Sequence, residues 1–157
     1  MIAREMSDPD NRGRLLWVLA SSRPDLIEVD LKRPGRVDIK IPLFPTTTPA
    51  QGFALLSGLA RKRGLSIPAE TYGELEEHVP DLLTPGAAEA LAVKCYRQVK
   101  IKGVEPAEAL RICLEDYVPP ISLRILREQM RLAADEATEA SFVPERIRDL
   151  LDEPERE

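Results

Sequence analysis

The run Arg-Leu-Leu-Trp-Val-Leu-Ala at residues 14–20 limits the fold more than any other stretch of the chain. A nearly continuous apolar run of this length suits a strand buried on both faces, as in a parallel sheet. Such a strand needs neighbours at its edges and helices over its faces. The sequence offers one other strand, Val-Asp-Ile-Lys-Ile-Pro-Leu at 37–43, whose apolar and polar residues alternate as in a more exposed strand. Two strands do not make a stable sheet. The chain is therefore expected to be a fragment whose first residue is an internal methionine of a longer protein. Residues 14–20 are then covered by another copy or left irregular.

The periodicity changes near Pro45, and everything beyond it reads as helix. Thr48 is a good N-cap, Pro49 takes the first helical position and Gln51 completes a capping box. Phe53, Leu56, Leu59 and Ala60 share one face of this helix, and Gly64 ends it. Arg61, Lys62 and Arg63 suit its negative end, a plainer role than a binding patch. A second helix is predicted over 69–78, and a third opens at Thr84-Pro85 with Ala88, Leu91, Ala92, Cys95 and Val99 on one side. Pro106 opens a fourth. Leu123, Leu126, Met130, Ala133 and Ala137 trace a fifth at spacings of three and four. A short helix near Pro144 and a frayed acidic tail follow, and residues 1–6 read as the end of a helix.

Composition narrows the classes of function. A chain of 157 residues, 43% hydrophobic and 31% charged, can bury a core without staples. Its net charge of −5 argues against a protein that coats nucleic acid, although Arg61–Arg63 and the cluster from Arg97 to Lys102 are basic. No apolar run approaches the ~20 residues that span a membrane. Cys95 and Cys113 form no Cys-x-x-Cys pair and read as buried thiols in a reducing cytosol. The single His78 makes no zinc site with them at a usual spacing, so no metal site is expected, and His78 reads as a surface residue.

Residues 18–43, Val-Leu-Ala-Ser-Ser-Arg-Pro-Asp through Lys-Arg-Pro-Gly-Arg-Val-Asp-Ile-Lys-Ile-Pro-Leu, resemble the second region of homology of the AAA-type ATPases. In that family an apolar strand runs into a polar sensor residue, an Arg-Pro-Asp loop, a short helix, an Arg-Pro-Gly-Arg turn and an edge strand. The helices after Pro45 resemble the family's C-terminal lid, and the stretch from Val118 is loosely similar to helices that some members carry beyond it. The implied architecture is mainly α: a two-strand remnant of an α/β P-loop ATPase core over 1–45, a helical lid over 46–117, and post-lid helices with an acidic tail over 118–157.

The resemblance implies a role for each matched residue. Arg33 and Arg36 fall at the arginine fingers, which reach into the nucleotide site of the adjacent subunit. A guanidinium stays charged and its donors form a planar fork, which suits the charge spread over a γ-phosphoryl group. Pro34 fixes one backbone angle and Gly35 permits a turn that other residues resist. The plainer reading pairs both arginines with Asp30 and Asp38 on a surface loop. Ser22 falls at the sensor 1 position, where the family usually has Asn, and a serine hydroxyl reaches less far. Arg23, Pro24 and Asp25 shape their loop. Gly86 and Ala87 fall where the lid backbone packs beside adenine and ribose, or else simply start a helix. Ser57 stands where many members place a His near the ribose.

The chain has no G-x-x-x-x-G-K-[ST] and no apolar run ending in Asp-Glu, so the phosphate cradle and the magnesium-holding acids are absent from it. ATP and Mg²⁺ are expected in a full-length cytoplasmic protein that self-associates as a ring, such as a hexamer, and remodels a protein substrate. This chain alone is expected to hold neither tightly and to be inactive. The alternative is a complete, non-enzymatic helical module for protein interaction and assembly.

Overall fold

The computed structural model describes residues 2–11 and 13–153. The chain is mainly helical, with seven α-helices and no strand among the described residues. It divides into two compact units, one formed by 44–122 and one by the segments before 44 and after 122.

The unit 44–122 is built on three helices, α2 (Pro49–Lys62), α4 (Pro85–Lys102) and α5 (Pro106–Glu115), with a short α3 (Tyr72–Leu75) between the first two. Proline stands at the start of all three long helices, where its missing N–H costs nothing. Thr48 Oγ1 accepts from the Gln51 N–H at 3.3 Å, and Thr84 Oγ1 accepts from the Ala87 N–H at 3.2 Å. Gln51 Oε1 does not return to the Thr48 amide but accepts from the Thr47 N–H at 2.9 Å.

The end of α2 closes as a Schellman motif. Leu65 N–H donates to the Ala60 carbonyl, Gly64 N–H donates to that of Arg61, and Gly64 has φ of +76°. Leu65 and Ala60 are both buried, supplying the apolar contact of that motif. The helix predicted over 69–78 is broken into Ala69–Thr71, α3 and Glu76–His78, the outer two pieces being 3-10 turns. Pro80 stops it, because the residue before a proline is driven to extended backbone, and Val79 has ψ of 122°.

Leu56, Leu75, Leu83, Leu110, Cys95 and Cys113 are fully buried where α2, α4 and α5 pack together. Each such leucine contributes about 1.5–3 kcal/mol relative to exposure. Thr46 ties the start of the unit to the loop before α4. Its N–H donates to the Leu83 carbonyl at 3.0 Å, and its Oγ1 accepts from the Leu83 N–H at 3.1 Å.

The second unit contains α1 (Ile2–Ser7), α6 (Leu123–Asp135) and α7 (Glu145–Asp152). Among the described residues its buried apolar side chains are few: Met6, Leu126, Met130, Val143 and Ile147. Residues 14–20 and 37–43, expected as strands, run without regular structure. Leu16 is 90% exposed, Val18 82% and Leu43 89%. An apolar run becomes a strand only when another chain segment pairs along its amides and carbonyls; among the described residues neither run is assigned as a strand, and the Thr138 N–H bond to the Lys40 carbonyl builds no ladder. Of the expected acidic tail, residues 154–157 lie outside the described residues.

Candidate functional site

The loop from Asp30 to Lys40 carries the two matched arginines. Residues 33–36 form a turn closed by Arg36 N–H on the Arg33 carbonyl at 3.2 Å. Pro34 stands at its second position and Gly35, with φ of +86°, at its third, the residue pattern of a type II turn. Asp38 Oδ1 accepts from the Gly35 N–H at 2.6 Å. Asp38 therefore braces the turn, where the plainer sequence reading had it pairing with an arginine.

The two arginines are held differently. The Arg33 side chain is 70% exposed and lies 3.5 Å from Asp30 Oδ1. The Arg36 side chain is 22% exposed and tightly engaged: Nη1 donates to the Asp30 carbonyl at 2.8 Å and to its carboxylate, and Nε donates to Ser7 Oγ on α1 at 2.7 Å. Arg33 can meet a ligand as it stands, whereas Arg36 must first let go of Asp30 or Ser7.

Three further residues close this loop, and the sequence reading missed them. Lys32 Nζ pairs with one oxygen of Glu136, just after α6, and Lys40 Nζ lies 3.2 Å from the other. Two further bonds reinforce the junction, Thr138 N–H donating to the Lys40 carbonyl at 3.3 Å and Lys40 N–H to the Thr138 side-chain Oγ1 at 3.1 Å. The hydrogen bond from Lys32, and more weakly that from Lys40, holds the Glu136 carboxyl below its usual range. A partner about a hundred residues away leaves no local signal. The only hint is the pair of lysines flanking the turn.

Ser22 is exposed, at a bend following the irregular run 14–20. Beside it Ser21 Oγ accepts from the Arg23 N–H at 3.0 Å, and Arg23 grips Asp25 with Nε at 2.9 Å and Nη2 at 2.6 Å. That fork pulls the Asp25 carboxyl below its usual range. Arg23, Pro24 and Asp25 thus wrap one 3-10 turn, Pro24–Leu26.

Gly86 and Ala87 stand in the first turn of α4 in the other unit. A side chain at Gly86 would meet nothing within 4 Å. The Ala87 methyl is buried in the core and its N–H is taken by Thr84, so this residue offers a ligand little beyond its shape. Ser57 Oγ on α2 is buried without a hydrogen-bond partner. His78 Nε2 lies 4.0 Å from Glu115. Arg63 donates to the Leu59 carbonyl at 3.0 Å and pairs with Glu89, so one member of the basic triplet completes its own helix end. Among the described residues, no group of three or more His, Cys, Asp or Glu side chains is placed to hold a metal, and no helix is long and apolar enough to cross a membrane.

No family model matches the sequence, and no curated protein or solved structure matches the chain.

Proposed function

We propose that this chain is the C-terminal part of an AAA-type ATPase module, and that Arg33 and Arg36 act on ATP bound to the adjacent subunit of a ring. The observation that carries this reading is the Arg33-Pro34-Gly35-Arg36 turn, which holds one guanidinium 70% exposed beside a second that is braced. Phosphoryl transfer needs fixed positive charge at the γ-phosphoryl oxygens more than it needs covalent chemistry. An arginine finger is worth roughly 10³–10⁵ in rate. The exposed Leu15, Leu16 and Val18 support the same reading, since in a complete ATPase core residues 14–20 and 37–43 pair as strands with the rest of the sheet.

Within that module Ser22 stands at the sensor position, 46–117 forms the lid, and Gly86 and Ala87 line the adenosine side. ATP and Mg²⁺ are held by a phosphate loop and an acidic pair that the chain itself does not carry. Arg33 and Arg36 touch the phosphate edge from outside, and hydrolysis in a cytoplasmic ring drives remodelling of a protein partner.

The test begins with the gene. An Asp-Glu pair after an apolar run, and farther upstream a phosphate loop, are expected ahead of this segment; a gene without them ends the proposal. In the protein so encoded, Arg33→Ala and Arg36→Ala each abolish hydrolysis and leave nucleotide binding within a subunit mostly intact.

A second reading, a non-enzymatic assembly module, draws on the same exposed apolar run and on the closed core of 44–122. It requires stable self-association of the 157-residue chain, which sedimentation would reveal.

A further inference from the structure

The loop bearing both arginines leaves and returns at the same carboxylate. Lys32 immediately precedes Arg33, Lys40 follows Arg36 by four residues, and each lysine takes one oxygen of Glu136. All three side chains are largely shielded, at 17%, 27% and 27% exposure, so water screens the pairs less than it would on an open surface. The Thr138–Lys40 bonds fix the return limb to the same point.

We propose that Glu136 is a positioning residue for the arginine turn: by bridging Lys32 and Lys40 it closes the base of the loop and sets the direction in which Arg33 and Arg36 point. A carboxylate with two oxygens suits this role because it can hold both limbs at once. Lys40 paired alone would leave the outgoing limb untied from Glu136, and Lys32 paired alone would leave the return limb to the Thr138–Lys40 bonds. The bridge also joins the turn to the end of α6, so movement of that helix is transmitted to the arginines. The catalytic consequence rests on the finger reading given above; the closure itself does not.

Two measurements separate these parts. In the 157-residue chain, hydrogen exchange is followed across 30–41 and, as an internal control, across 44–122. Glu136→Gln keeps the shape and removes the charge. It is expected to speed exchange over 30–41 roughly three- to tenfold and leave 44–122 unchanged, as for a local opening. Lys40→Met should do the same, and adding it to Glu136→Gln should change nothing more. Unchanged exchange in both single variants overturns the proposal.

In the complete ring-forming protein, Glu136→Gln should lower kcat roughly tenfold or more with KM for ATP unchanged, because a misdirected finger loses transition-state contact without disturbing the neighbour's pocket. Normal kcat in a variant whose exchange has risen overturns the positioning role. Failure of the finger reading shows separately, as full hydrolysis by Arg33→Ala, and the exchange result still decides the closure.

Discussion

Arg36 grips Asp30 twice with one nitrogen, Nη1 donating both to the main-chain carbonyl at 2.8 Å and to the carboxylate. The same guanidinium reaches Ser7 on α1, so a single side chain joins the turn, the segment before it and the first helix. Arg33, three residues earlier, makes one longer ion pair and stays in solvent. Two arginines on one turn thus divide into a brace and an exposed cation.

This division predicts unequal effects on stability. Arg33→Ala removes an exposed pair and should change unfolding free energy by less than ~0.5 kcal/mol. Arg36→Ala removes several hydrogen bonds at a largely shielded site and should cost about 1–2 kcal/mol. Urea denaturation followed by hydrogen exchange in residues 2–43 measures both. Equal costs would show that the bonds of Arg36 to Asp30 and Ser7 contribute nothing.

Of the glycines in 44–122, Gly52 is the one with no room for a side chain: an added Cβ would lie 2.7 Å from Val79 Cγ1. Gly52→Ala should therefore destabilise this unit by about 1–3 kcal/mol, although alanine is the better helix former. Pairing it with Val79→Ala should cost less than the sum of the two single changes, since the second opens room for the first. Additive costs in a thermal melt would place the strain elsewhere.

Thr46→Val tests the polar tie at the start of the same unit. Valine keeps the shape, but Leu83 N–H loses the hydroxyl that accepts from it at 3.1 Å, and Leu83 is fully buried. An orphaned buried amide costs about 1–3 kcal/mol. Thr46→Ser, which restores the acceptor, should recover most of that loss in the same melt.

The helical half of the chain was legible because its signals are local. Thr48 caps the helix it was expected to cap, the third helix opens at Thr84-Pro85 as expected, and Pro49 and Pro106 stand at the expected starts. Gln51 found Thr47 in place of Thr48, a difference of one residue that a spacing rule does not resolve. The run 14–20 has the composition of a buried strand, yet a strand is completed by its partners, and its own residues cannot supply them. Glu136 was invisible for a related reason: nothing near it in sequence names Lys32 or Lys40. Gly35 lies at the other extreme, its positive φ following from the Pro-Gly pair alone.

Glu136 also gives the loop an acid limit. The carboxyl is held below its usual range, first by Lys32 and then by Lys40, the two charged groups it bonds, against the opposing effect of burial. A depressed folded pKa stabilises above the ordinary glutamate value of about 4.3, and that contribution is lost as pH falls through the folded value. Exchange over 30–41, corrected for intrinsic rates, should separate wild type from Glu136→Gln at pH 6–7, roughly the plateau of that curve. The two should converge once pH has fallen through the folded value, where the carboxylate is protonated. A difference that persists undiminished in acid would show that charge on Glu136 is not what closes the loop.

The two thiols report on the integrity of 44–122. Cys95 on α4 and Cys113 on α5 are both fully buried and unpaired by any disulfide. Burial pushes the Cys95 thiol up to about 11 and raises that of Cys113 as well. At pH 8 a thiol like that of Cys95 is ionised in roughly one molecule in a thousand, and only the thiolate attacks a disulfide reagent. Both should therefore stay unreactive toward an aromatic disulfide in the folded chain and react together once urea opens the unit. Their rate below the unfolding midpoint should follow the same opening that Gly52→Ala promotes, so that variant should react faster in proportion to its lost stability. A thiol that reacts promptly in the native chain, at a rate indifferent to Gly52→Ala, would mean that α4 and α5 part locally without unfolding the core around Leu56 and Leu110.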